Sequence, residues 1–418
     1  MIYIRPPLWE WKANSFTTRM CDRRPREAHR LAQLGSTHLN LWRALRALVI
    51  MALLGAGAAA AQTSLVTAVR DGGGNLKLIS WNDNGIRLNA EGASAGAVSL
   101  ISAARLGNSE QMATAVRDGD GNLKVIVWRV PFNGQIERRT SGQAGAVSRI
   151  SAASNPTGDR LVTAVRDGSG NLKVIVWAVT PQGSISRLPG DGLAGAVSIT
   201  LGALPLDHVI SATFVGSSGT LLATAVRDGG GNLKIITWRI ASSGQVTRLK
   251  DISAGAVSEI SAIALGTRLV TAVSDGGGNL KLIAWGVDAN GGITRGDDAQ
   301  AGAATQITTF PLSGPQLVTA VRDGGGNLKV ISWKVPPSPQ EIVRVDDESA
   351  GAVSRIAASV CGAAPPGTLT FQTSVRDGGG DLKIITWRTP LGANPITRFP
   401  PGSASAGAVS LISTVCFS

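Results

Sequence analysis

Beyond residue 61 the chain contains no tyrosine, one histidine (His208) and two cysteines (Cys361 and Cys416). With no tyrosine there, a sialidase-type tyrosine nucleophile is ruled out. A single histidine cannot by itself build a catalytic triad or a histidine metal cluster. Long stretches of 3.6-residue hydrophobic periodicity are also missing, which excludes a helical solenoid. Charge of one sign is not concentrated: of 40 Lys/Arg and 28 Asp/Glu, nine and three precede residue 62, leaving 31 against 25. A one-sided basic patch with interleaved aromatics is lacking, so nucleic acid is not an expected partner.

The first 61 residues read differently from the rest. After Arg43 and Arg46 comes "ALVIMALLGAGAAAAQ", a basic flank, a short apolar run and an Ala-x-Ala end. That order is the one of a secretory signal peptide. The run is shorter than the ~20 residues of a stable membrane span. The expected division is therefore a leader over 1–61 and one exported domain over 62–418, secreted or periplasmic, with no membrane span after processing and monomeric. In an oxidising compartment Cys361 and Cys416 are disulfide candidates.

What the sequence has in abundance is one phrase. "LVTAVRDGGGNLKLISW" (Leu65–Trp81) recurs with its Arg-Asp-Gly anchor at Arg70, Arg117, Arg166, Arg227, Ser274, Arg322 and Arg376, spaced 47, 49, 61, 47, 48 and 54 residues apart. Each of the seven units divides into four strand-like runs, "AGAVSxIS", "LVTAVRD", "NLKLISW" and "GxITRL", rich in Val, Ile, Thr and Leu and bounded by turn residues. Repeats of this length and strand content predict an all-β, seven-bladed β-propeller with four-stranded blades. The first copy lacks its "AGAVSxIS" run, and a spare one, "AGAVSLISTVCFS", ends the chain at Ala406 onward. The C-terminal strand is thus expected to complete the first blade and close the ring, with a Cys361–Cys416 disulfide as a staple.

Trp81, Trp128, Trp177, Trp238, Trp285, Trp333 and Trp387 occupy one slot at the end of the third run, and read as packing wedges between blades. The Asp-Gly-x-Gly-Asn stretch fits a three-residue hairpin loop with glycine in the left-handed region, setting Val69 opposite Lys77. Asp71 and Lys77 then share a face at diagonal range, an expected ion pair. The second copy, Asp118-Gly-Asp120-Gly-Asn122, has the start of an oxygen-rich calcium loop. It lacks a bidentate Glu at position 12, so the turn reading is preferred; no cofactor is expected, with Ca²⁺ at Asp118, Asp120 and Asn122 the only metal alternative. A second arginine series, Arg87 to Arg398, fits protection of an exposed sheet edge. The carboxylate pairs Asp297-Asp298 and Asp346-Asp347, just before "AGA" segments, read as turns rather than as an acid/base couple.

The order "AGAVSxISA … LVTAVRDG … NLKLISWRV … GQITRL" resembles the WD-repeat grammar of strand, strand, turn, strand ending in Trp, strand. The Gly-His dipeptide is absent and no Trp is followed by Asp, so that family's buried His–Ser–Asp–Trp network does not carry over. The rhythm is also similar to that of bacterial seven-bladed propeller lectins. This resemblance implies a non-catalytic glycan- or cell-surface-binding module with a glycan or surface protein as partner. The alternatives are a protein-interaction scaffold and, as a minority reading, a glycan-active enzyme built on converging carboxylates. No catalytic residue is assigned and the ligand-binding residues are unknown. Irregular loops, Leu201–Thr220 between the first two strands of the fourth unit and Val335–Glu341, are the places to look for function.

Overall fold

The computed structural model describes residues 64–89, 91–131, 133–199, 208–336, 341–363, 367–390, 395–399 and 405–417. The expected leader and most of the Val335–Glu341 loop lie outside them. The described residues are all-β, an antiparallel assembly of many strands.

Seven hairpins share one register. Val69 faces Lys77 in the first, and Val116–Lys124, Val165–Lys173, Val226–Lys234, Val273–Lys281, Val321–Lys329 and Val375–Lys383 follow. The turn explains the constancy. In every copy the Asp Oδ1 accepts from the backbone N–H groups two and four residues on, at 2.9–3.1 Å. Gly74 and its counterparts hold φ of 80–94°, where a side chain would be strained.

The units are joined by continuous strands. Val246–Leu265 pairs first with Asn232–Ile240 of the fourth unit, then from Val257 onward with Arg268–Asp275 of the fifth. The segments Glu137–Ser154, Ile293–Pro311 and Val343–Ala363 behave in the same way. At the end of the chain, Ser405–Phe417 pairs with Ser64–Asp71, from Ser64↔Phe417 to Arg70↔Leu411. Cys361 and Cys416 form a disulfide with Cα atoms 5.1 Å apart.

The core lies between neighbouring units. Trp177 is buried in a cluster with Leu123, Val125 and Val127 of the preceding unit. All seven tryptophans are fully buried, and each donates its Nε1–H to the Oγ1 of a threonine 14 residues earlier, Thr67 through Thr373, at 2.9–3.0 Å. The ring fills the joint while its one polar atom is satisfied within its own unit.

Two expectations about charged residues change. The turn aspartates are occupied by backbone amides, and the lysine reaches an outer-strand aspartate instead. Lys173 meets Asp191 at 2.8 Å, Lys234 meets Asp251 at 2.9 Å, Lys281 meets Asp298 at 3.1 Å and Lys329 meets Asp347 at 2.8 Å. The second arginine series completes these clusters, with Arg187, Arg248, Arg295 and Arg344 on the same four aspartates. The first arginine series links units. Arg70, Arg117, Arg166, Arg227, Arg322 and Arg376 each donate Nε–H to the carbonyl of a valine in the next unit's first strand, Val98 through Val409, at 2.7–2.8 Å.

The clusters predict acid sensitivity. Hydrogen bonds from Lys234 and Arg248 hold Asp251 below the ordinary carboxylate range. At Asp298 and Asp347 burial pushes upward, but the lysine and arginine hydrogen bonds outweigh it, so both also lie below that range. A depressed folded-state pKa gives stability that is present above the unfolded value of about 3.9 and is lost as pH falls through the folded one. The melting temperature should therefore fall more steeply below about pH 4 in the wild type than in a D251N/D298N/D347N variant. Parallel acid profiles in the two proteins would contradict the assignment.

Candidate functional site

The first strands of the units line one common cavity of about 180 Å³. A band of hydroxyls runs along it. Ser413, Ser102, Ser151 and Ser211 accept hydrogen bonds from the backbone N–H of Ala103, Ala152, Ala212 and Ala262 of the following unit, at 2.9–3.0 Å. Ser211 lies in the long insertion. The insertion therefore interrupts the first strand of the fourth unit rather than following it. Val197 keeps its bridge to Asp228, and Ile210–Phe214 resumes the pairing with Leu221–Arg227. The "ISA" at 210–212 repeats the "ISA" of 101–103, 150–152 and 260–262. Residues 200–207 fall outside the described part.

Past Ser211 the pattern breaks. The fifth unit carries Ser274 where the other six carry arginine, and the residue whose backbone carbonyl would receive it is Ala304 where the other copies have valine. Opposite Ser274 stands Glu259, 1% exposed, whose Oε2 accepts from the Ile307 N–H at 3.2 Å. In the sixth unit Gln306 occupies the equivalent position with φ 54°, unique among the described non-glycine residues. In the seventh unit Arg355 is there, and its Nη1 donates to Gln306 Oε1 at 3.2 Å. A guanidinium at position 274 would lie across the strand pair from the Glu259 carboxylate, in space left open above Gly278.

Glu259, Gln306 and Arg355 also line a second cavity of about 400 Å³, with Arg322, Arg376 and the hydroxyls of Thr305, Ser354 and Ser410 around it. Gln306 and Arg355 border both cavities. The site thus offers a carboxylate that can take a proton, an amide and a guanidinium that can donate to developing negative charge, and room for a small polar molecule. Backbone strain at Gln306 of about 1–3 kcal/mol is the kind that persists where function holds it.

His208, set aside in the sequence as a lone histidine, lines the smaller cavity, and its carbonyl accepts from the Ile260 N–H at 2.7 Å. Asp297 and Asp346, read as turn residues, accept at 2.6 Å from the N–H groups of Ile342 and Ile396 in the following units. Asp118 serves its turn as the other six do, with Asp120 and Asn122 supplying the amides. No group of three or more metal-ligating side chains occurs among the described residues.

No family model and no curated protein matches the sequence. Solved structures do match in shape. A Bacteroides uniformis protein named "putative 6-phosphogluconolactonase" superposes with a TM-score of 0.59 at 13% identity, over 85% of this chain and 99% of that one. A Bacteroides fragilis protein of the same name gives 0.60 at 12%, over 86% and 99%. The periplasmic gluconolactonase of Pseudomonas aeruginosa gives 0.58 at 14%, over 85% and 99%. The fold is a β-propeller. At such identities the likeness speaks for the propeller fold alone. The names nevertheless overturn the expectation of a non-catalytic, lectin-like or scaffolding module, since the propellers that this chain resembles are named for lactone hydrolysis. The polar cluster forms only when three units are brought together, so no single unit's sequence displays it. No helix among the described residues is long and apolar enough to cross a membrane.

Proposed function

We propose that this chain is a lactonase-type hydrolase acting at the cavity bordered by Glu259, Gln306 and Arg355. The observation that carries the reading is the convergence of these three side chains at one repeat position in consecutive units, beside the one unit that lacks its arginine. Lactone hydrolysis needs a base to take a proton from water as its oxygen attacks the ring carbonyl. It also needs donors for the oxyanion that forms, and it ends when the ring C–O bond breaks to give a hydroxy acid. Glu259 is assigned the base. Its Oε2 is steadied by the Ile307 amide. Arg355 and Gln306 are assigned to the oxyanion. The lactonase names of the propellers that share the shape support the assignment.

The same reading takes the domain as a seven-bladed ring closed by Ser405–Phe417 on Ser64–Asp71. In support are the seven hairpins of equal register, the first-to-last strand pairing and the cavity bordered by the first strands. It also takes the protein as exported, on the leader-like segment and the periplasmic location of one neighbour of similar shape.

Acid release from five- and six-membered sugar lactones, followed in a pH-stat against spontaneous hydrolysis, tests the activity. The wild type should exceed the background. E259Q should lose about 100-fold or more, the usual share of a general base, without a fall in melting temperature that accounts for it. S274R should be similarly impaired, because the restored guanidinium would engage Glu259. Background rates for the wild type on every lactone, or full activity in E259Q, would overturn the proposal.

A further inference from the structure

The four outer-strand clusters show how this protein holds a carboxylate. In the fourth unit Asp251 gives one oxygen to Lys234 at 2.9 Å and the other to Arg248 at 2.5 Å. The third, fifth and sixth units repeat the lysine–aspartate–arginine arrangement with Asp191, Asp298 and Asp347. Register fixes the aspartate's place: Asp251 faces Ile236, Asp298 faces Ile283 and Asp347 faces Ile331.

In the second unit the residue facing Ile126 is Ser141. Lys124 and Arg138 are both retained, but no carboxylate forms an ion pair with either among the described residues. Arg138 reaches only the Ser141 hydroxyl, at 3.4 Å. Both cations border a cavity of about 260 Å³ between the first and second units, floored by the Ala95–Val98 segment and edged by Gln143. The corresponding cavity between the fourth and fifth units, about 230 Å³, is bordered by Lys281 and Arg295, both of which already pair with Asp298.

We propose that Lys124 and Arg138 form a binding site for the carboxylate group of an external small molecule, which takes the position that aspartate takes in four sister units. Two other acids border the cavity, Asp118 and Asp120. The Asp118 Oδ1 is engaged by the turn amides, as in every unit. Asp120 stands where other copies have Gly or Ser and faces the cavity from the turn side, where it can accept from a hydroxyl or ammonium group on the same ligand. The site is separate from the Glu259 cavity, with no residue in common, and does not depend on the hydrolase reading.

Acetate is the probe, titrated against sodium chloride of equal ionic strength, with the backbone amide signals of Ser141 and Gln143 followed by NMR. The wild type should show a saturable, acetate-specific shift at these amides. S141D supplies the carboxylate covalently, and should lose that shift while its melting temperature rises by about 1–2 °C, in line with a partly exposed ion pair. D298S makes the converse change in the fifth unit, and should gain a second acetate-responsive site near Lys281 and Arg295. No saturable shift in the wild type, an equal response to chloride, persistence of the shift in S141D, or no new site in folded D298S would each overturn the proposal.

Discussion

Replacing Trp177 by alanine is expected to destabilise the protein by about 3–5 kcal/mol, the range for truncating a fully buried aromatic. Two consequences add together. The ring fills the joint between the second and third units, where a Cβ on Gly142 of the neighbouring strand would lie 2.7 Å from Trp177 Cζ3, so the backbone there is already as close as the ring allows. Its removal leaves a large void that the flanking strands, tied into their own hairpins, cannot collapse to fill. It also removes the N–H donor from Thr163, which is fully buried. W177F separates the two: it keeps most of the volume and loses the donor, and should cost about 1–3 kcal/mol. Urea unfolding of the three proteins measures both effects. A W177A midpoint equal to wild type would show that the ring does not carry the joint.

Removing the disulfide should cost nearly as much. Cys361 and Cys416 are 55 residues apart in sequence, and releasing a loop of that length returns roughly 4 kcal/mol of entropy to the unfolded chain on the chain-entropy account. A C361S/C416S variant should unfold at a lower urea concentration than oxidised wild type. Reductant should bring the wild type down to the variant and leave the variant unchanged. Both sulfurs belong to buried residues, so reduction should be slow in the folded state and fast once unfolding begins. Equal midpoints without reductant would refute the expectation.

The hairpins were legible because their determinants are local. Asp71, Gly74 and Asn75 set one turn within five residues, and the copy number made the register plain. Trp177 was legible as a wedge; its threonine partner is marked only by an interval, the 14 residues from Thr163 to Trp177 that recur in all seven copies. The lysine was given the wrong acid because Asp71 is near in sequence, while the backbone amides of its own turn compete for it more effectively. Glu259, Gln306 and Arg355 lie about 50 residues apart and meet only through packing of successive units. One signal existed: the variable residue of "AGAVSxIS" is Leu100, Arg149, Glu259, Gln306, Arg355 and Leu411 in different copies, and three of the four polar ones fall in consecutive units. The absence of the anchor arginine at Ser274 marked the same joint.

The strand Val246–Leu265 belongs to two units at once, with its first half paired backward and its second half forward. A unit of folding is therefore not a unit of sequence. Excising one period between equivalent points in two such strands rejoins a half that still has its old neighbour to a half that finds an identical one, so gain or loss of a whole period preserves every pairing on either side of the cut. Excising a hairpin with its own flanking loops instead strands two half-segments without partners. Gene duplication in such a chain is tolerant of where the break falls along the period and intolerant of its length.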